Sequence, residues 1–302
     1  MTSTETDPGR RQPTPSAVRR LSTFFYRHPR IRLGVLLAGP VGWLVIGYIG
    51  SLAVMLLAAF WQLDPFTAEV VREPTLENFK EILTEPVYRR ITLRTVGMAA
   101  AVTVACAILA FPIAYYMARV ASRRMRRILV VAILIPLWAS YLVKVYTWRT
   151  ILAENGVLNW MLEPFGIEGP GYSLVGTWLV FTYLWLPYMI LPIYAGLERI
   201  PASLLEASAD LGGRAGRTFL RVVLPLAFPA IVAGSIFTFS LTLGDYITPE
   251  VVSSSQFIGN VIYDNIGVAN NLPFAAAYAF VPIAVMIVYL YVAKLLGAFE
   301  NL

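Results

Sequence analysis

Apolar residues run along this chain in long blocks separated by short polar stretches. Six blocks reach the roughly 20 residues a helix needs to cross about 30 Å of hydrocarbon. They cover 33–61, 95–118, 128–148, 174–197, 223–243 and 274–297. Backbone in lipid must satisfy its own hydrogen bonds, so the pattern predicts an all-α integral membrane protein with six transmembrane helices. The first block follows an Arg-rich stretch, but it is too long for a signal peptide and five more follow it. Prolines punctuate the other five (Pro112, Pro136, Pro187, Pro192, Pro225, Pro229 and Pro282). Each frees a backbone carbonyl, which suits helices that are kinked or line a cavity.

Composition narrows the class. Of 302 residues, 58% are hydrophobic and 14% charged, too few charges to coat a soluble protein of this size. Cys106 is the single cysteine and His28 the single histidine, which argues against an internal disulfide, multi-cysteine metal sites and histidine-based catalysis. The net charge of +6 is dispersed in short blocks between apolar runs. That is the pattern of topology signals, not of a nucleic-acid groove.

Those blocks predict an orientation. Seven arginines fall in the tail 1–32, a segment too poor in apolar residues to fold. Arg119, Arg123, Arg124, Arg126 and Arg127 follow the second span without an acid. The segments 149–173 and 244–273 are acidic by contrast, so the positive-inside rule places both termini in the cytoplasm and residues 33–302 in a multi-pass domain. The segment 198–225, between spans four and five, is then cytoplasmic.

That segment contains a short predicted helix, with Pro201 at its start and Gly212 as its C-terminal cap. Leu204, Ala207, Ser208 and Leu211 recur on one face. Spacing alone is equally consistent with a helix lying in the headgroups. The identities are more specific: Glu206-Ala207-Ser208, then Gly212, Val222 and Leu224-Pro225. This resembles the EAA signature of ABC importer permeases, with Ser208 in place of the second alanine and Val222 in place of isoleucine. The resemblance implies the type I (MetI-like) permease fold in a bacterial plasma membrane. It also implies that Leu205, Glu206, Ala207, Ser208, Leu211, Gly212, Leu224 and Pro225 couple the chain to an ATP-binding subunit. The run Gly213–Thr218 lacks the first glycine and the lysine of a phosphate loop. ATP and magnesium are therefore expected on the partner, with no cofactor bound by this chain.

Further stretches resemble the spermidine/putrescine permeases of the PotB/PotH type: Leu134–Trp138, Tyr146–Leu152, Asn155–Asn159, Leu243–Glu250 and Ile258–Ile262. Importers of ferric iron, phosphonates or opines share parts of them. A polycation needs acids and aromatic faces to replace its hydration shell. Asp245, Tyr246, Glu250, Trp138, Tyr141 and Trp185 are the candidates for its pathway; a capping aspartate beside an interfacial aromatic belt is the structural alternative. The resemblance further implies a second, PotC-like permease, two ATP-binding subunits and an extracytoplasmic substrate-binding protein. An ion-coupled carrier would instead carry acids or histidines within several spans. Here Lys144 and Asp245 are the charged residues near membrane depth.

Overall fold

The computed structural model describes residue 26 and residues 29–296. Most of the tail assigned to 1–32 lies outside the described residues, and residues 29–32 are already helical. The chain divides into two compact units, 1–55 and 56–302. In the first, α1 (Pro29–Trp43) leads through a π-helical stretch (Leu44–Gly50) into α2 (Ser51–Ala58), whose last turn belongs to the second.

The second unit opens with an antiparallel pair, β1 (Gln62–Leu63) and β2 (Val70–Val71), in which Gln62 faces Val71. Then come α3 (Glu77–Thr84), α4 (Pro86–Tyr115), α5 (Arg123–Trp138), α6 (Tyr141–Leu152), α7 (Val157–Leu162) and α8 (Leu174–Arg199). The remaining helices are α9 (Ala202–Asp210), α10 (Ala215–Thr218), α11 (Leu224–Gly244), α12 (Ile247–Val252), α13 (Ile258–Gly267) and α14 (Leu272–Leu295). π-Helical segments extend α4 (Tyr116–Val120) and precede α11 (Phe219–Val223).

Five helices among the described residues are long and apolar enough to cross a membrane. The expected third span, 128–148, departs from the prediction: α5 and α6 meet at a 92° bend. Ala139 is extended there and Ser140 is also non-helical, with ψ of 141° and 136°. Pro136 removes an amide donor one turn before the break. Continuous hydrophobicity cannot reveal such a corner, because the apolar block runs through it from one arm to the other.

The core of the second unit is built around α8, which packs between α4 and α11. Helix α4 presents a buried stripe of mostly small residues, Thr95, Ala99, Val102, Cys106, Ala110 and Ala114, at three- and four-residue spacing. Small side chains let helix backbones approach where lipid supplies no hydrophobic drive. Gly234 of α11 shows how close that approach is: a Cβ there would lie 2.7 Å from Met189 Sδ and 3.1 Å from Met189 Cα on α8. Asn78 on α3 is buried and donates to the carbonyls of Ala59 and Trp61, satisfying the turn before the hairpin.

Candidate functional site

The expected coupling segment lies at the end of the second unit where α4 and α8 finish and α11 begins. Pro201 takes the N-cap position of α9, and Leu211 follows its last residue. Gly212 has φ of +76°, the left-handed conformation that glycine adopts without a Cβ clash. The Gly212 amide donates to Ala209 O and the Gly213 amide to Ser208 O, at 2.9 and 2.8 Å. The hydroxyls of Ser208 and Thr218 lie 2.8 Å apart and close the loop on itself.

Exposure divides the predicted coupling residues into two faces. Glu206, Ala207 and Gly212 are exposed, and Leu211 is 89% exposed, an unusual position for a leucine. Leu205 and Ser208 turn the other way: Leu205 packs against the core, and Ser208 makes the Thr218 bond. The face predicted from spacing, Leu204, Ala207, Ser208 and Leu211, is therefore divided, with Ser208 turned toward the loop and the other three exposed. Leu224 and Pro225 begin α11 directly after the π-helical segment. A change of helical register is a place where proline's missing amide is tolerated.

At the opposite end of α11 the structure gathers Tyr141, Trp185, Asp245 and Tyr246 around a recess of about 400 Å³, with Ser240, Leu241 and Gly244 completing its wall. Asp245 Oδ1 accepts the amides of Ile247 and Thr248 at 2.8 and 3.1 Å. It caps the first turn of α12. Its Oδ2 accepts the hydroxyls of Tyr141 and Thr248. The Tyr141 ring stacks parallel to Trp185 at 6.1 Å, and the buried indole Nε1 of Trp185 has no hydrogen-bond partner among the described residues. Tyr246 stacks on Tyr263 at 4.5 Å. Glu250 is exposed one turn on, and Asn260 bridges it to the Tyr246 carbonyl. Trp138 is not in this group: it ends α5 before the bend and is 91% exposed. Lys144 lies three residues beyond Tyr141 on α6, on the same helical face, with no ion pair among the described residues.

Four further residues, none a candidate from the sequence pattern, shape these two places: Thr248, Asn260, Gly259 and Gly213. Thr248 is signalled by the Asp-x-x-Thr spacing of a cap. Asn260 bonds α13 to the Asp245 turn, and Gly259 permits the approach, since a Cβ there would meet the Gly244 and Asp245 carbonyls at 2.9 Å. Gly213 is hidden by its neighbour, because a Gly-Gly pair does not say which glycine is crowded.

A family model described as "Binding-protein-dependent transport system inner membrane component" matches residues 107–299. The chain is 47% identical over 306 residues to the inner membrane ABC transporter permease protein YdcU of Escherichia coli (strain K12), covering 96% of this chain and 97% of that one. It is 30% identical to the spermidine/putrescine transport system permease protein PotB of Haemophilus influenzae, over 67% of this chain and 72% of that one. With PotB of Escherichia coli the identity is 28%, covering 78% and 87%. Among solved structures, a bacterial ABC transporter involved in alginate import superposes with a TM-score of 0.69 at 17% identity, covering 92% of this chain and 98% of that one. A second alginate transporter structure, in complex with a pentasaccharide-bound periplasmic protein, gives a TM-score of 0.68 at 18% identity, covering 91% and 96%.

Proposed function

The chain belongs to the binding-protein-dependent transport inner membrane components, as the permease subunit of an ABC importer, and on that premise we propose that the solute it moves is a polyamine. One observation carries the substrate reading: the recess lined by the Asp245 carboxylate together with Tyr141, Trp185 and Tyr246. A carboxylate and aromatic faces are what an ammonium group needs on leaving water. The relatives named as spermidine/putrescine permeases support the same class. Four donors already hold Asp245 and fix its orientation, so an arriving ammonium must share or displace one of them.

In this reading both termini and the segment 198–225 are cytoplasmic, and the recess opens toward the extracytoplasmic side. The exposed face of α9 and the turn after it, with Glu206, Ala207, Leu211 and Gly212, docks on an ATP-binding subunit. A second permease completes the pathway. A substrate-binding protein delivers the solute, and two ATP-binding subunits, which hold ATP and magnesium, drive alternating access. Glu206 supplies charge-assisted bonds at the docked surface, and Leu211 an apolar anchor. The test is to titrate the cognate substrate-binding protein with spermidine, putrescine and unrelated solutes, and then to measure ATP-driven uptake of the preferred one in proteoliposomes. Micromolar or tighter polyamine binding supports the proposal; a binding protein that ignores polyamines rejects it.

A further inference from the structure

The two limbs of the segment 198–225 are both held by α4. At the entry, Arg119 reaches from the π-helical end of α4 to α8, and its Nη2 donates to the carbonyls of Leu197 and Ile200, both at 2.7 Å. These carbonyls sit at the negative end of the α8 dipole, where a guanidinium is stabilising. Pro201 and α9 follow immediately. Arg126 adds a second tie: its Nη1 pairs with Glu198 at 2.9 Å, while its Nε and Nη2 hold the carbonyls of Met117 and Ala118. Tyr194 donates to the same Glu198 oxygen.

At the exit, Phe219 meets two rings of α4 edge-on, Phe111 at 5.4 Å and Tyr115 at 6.1 Å. Arg119 and Phe219 both occupy π-helical segments, Tyr116–Val120 and Phe219–Val223. Such single-turn bulges redirect side chains at functional positions. Arg119 is partly buried, its Nη2 shared by the two carbonyls, and its buried Nε has no hydrogen-bond partner among the described residues.

We propose that Arg119 is a positioning residue that makes α9 and the end of α4 one mechanical unit, so that displacement of the coupling helix is delivered to the second span. The inference rests on the coupling reading above. The experiment uses the assembled importer, this chain with its partner permease, ATP-binding subunits and binding protein, in proteoliposomes. Solute uptake and ATP hydrolysis are measured in parallel. Arg119→Gln loses two charge-assisted bonds, so solute moved per ATP falls about tenfold while hydrolysis continues and the subunits still copurify. Arg119→Lys, a point charge without the fork, recovers part of that ratio.

An unchanged ratio in Arg119→Gln overturns the inference. Uptake and hydrolysis falling by the same factor also overturns it, since a purely structural role predicts that. If Arg119→Gln inserts poorly, Arg126→Gln decides: it leaves both Arg119 bonds in place and lowers the ratio by a smaller factor, about threefold, and a wild-type ratio there overturns the inference. Absence of ATP-driven uptake by the wild-type assembly overturns the importer reading and this inference together, an outcome distinct from loss of the tie alone.

Discussion

Gly213→Ala inserts one methyl group at the most crowded point of the loop after α9. The new Cβ would sit 2.5 Å from the Ser208 carbonyl oxygen, 2.6 Å from Ser208 Oγ and 3.0 Å from Thr218 Oγ1. Relief requires a shift of about 1 Å in backbone, since carbon and oxygen rest near 3.4 Å or beyond. That shift breaks the 2.8 Å bond from the Gly213 amide to Ser208 O and wedges apart the Ser208 and Thr218 hydroxyls. Two neutral hydrogen bonds and the strain of overpacking amount to about 1–3 kcal/mol. The loop's open population should therefore rise about 5- to 150-fold. Hydrogen exchange of the amides in 202–218, measured in nanodiscs, reads this directly. Exchange in the buried part of α8 is the internal control and should not change. Gly212→Asn is the contrasting variant: that position has open space and φ of +76°, which asparagine tolerates, so exchange there should stay near wild type. Wild-type exchange in Gly213→Ala, or equal effects of the two substitutions, would refute the reasoning.

Three further outcomes are expected. Glu206→Lys leaves insertion intact but abolishes copurification with the ATP-binding subunit and ATP-driven uptake; undiminished uptake removes Glu206 from the docking face. Asp245→Asn and Lys144→Met report the sign of the solute's charge: for a polyamine the first raises the uptake KM and the second lowers it, each by about fivefold for an effect on the order of 1 kcal/mol, whereas opposite signs indicate an anion. Gly234→Ala, crowded against Met189 of α8, should cost about 1–3 kcal/mol of helix packing; thermal unfolding in detergent unchanged from wild type would show that α8 and α11 are looser than described.

What was legible in the sequence follows from short-range physics. Apolar length marked five of the spans to within a few residues, except that two helices start well before the predicted 95 and 223, at Pro86 and Ala215, because helix can continue through polar residues that hydropathy does not record. The Pro201 and Gly212 bracket of α9 was legible because capping depends on one residue's φ and donors. The aspartate before α12 was legible as a possible cap for the same reason.

Tertiary structure decided the rest, because it turned on which distant residues meet. The 92° corner after Trp138 removed that residue from the group around Asp245 and brought Tyr141 into it. Helical spacing could not divide α9 into an inward pair, Leu205 and Ser208, and an outward set, since the division depends on where Thr218 and the core lie. Arg119 read as one of a block of positive charges that orient the chain. Only the packing of α4 beside α8 turned that charge inward to two carbonyls 78 and 81 residues away. Local sequence set where the chain enters and leaves lipid, since each residue's transfer energy acts on its own; the contacts proposed to transmit force and bind the solute needed the folded neighbours.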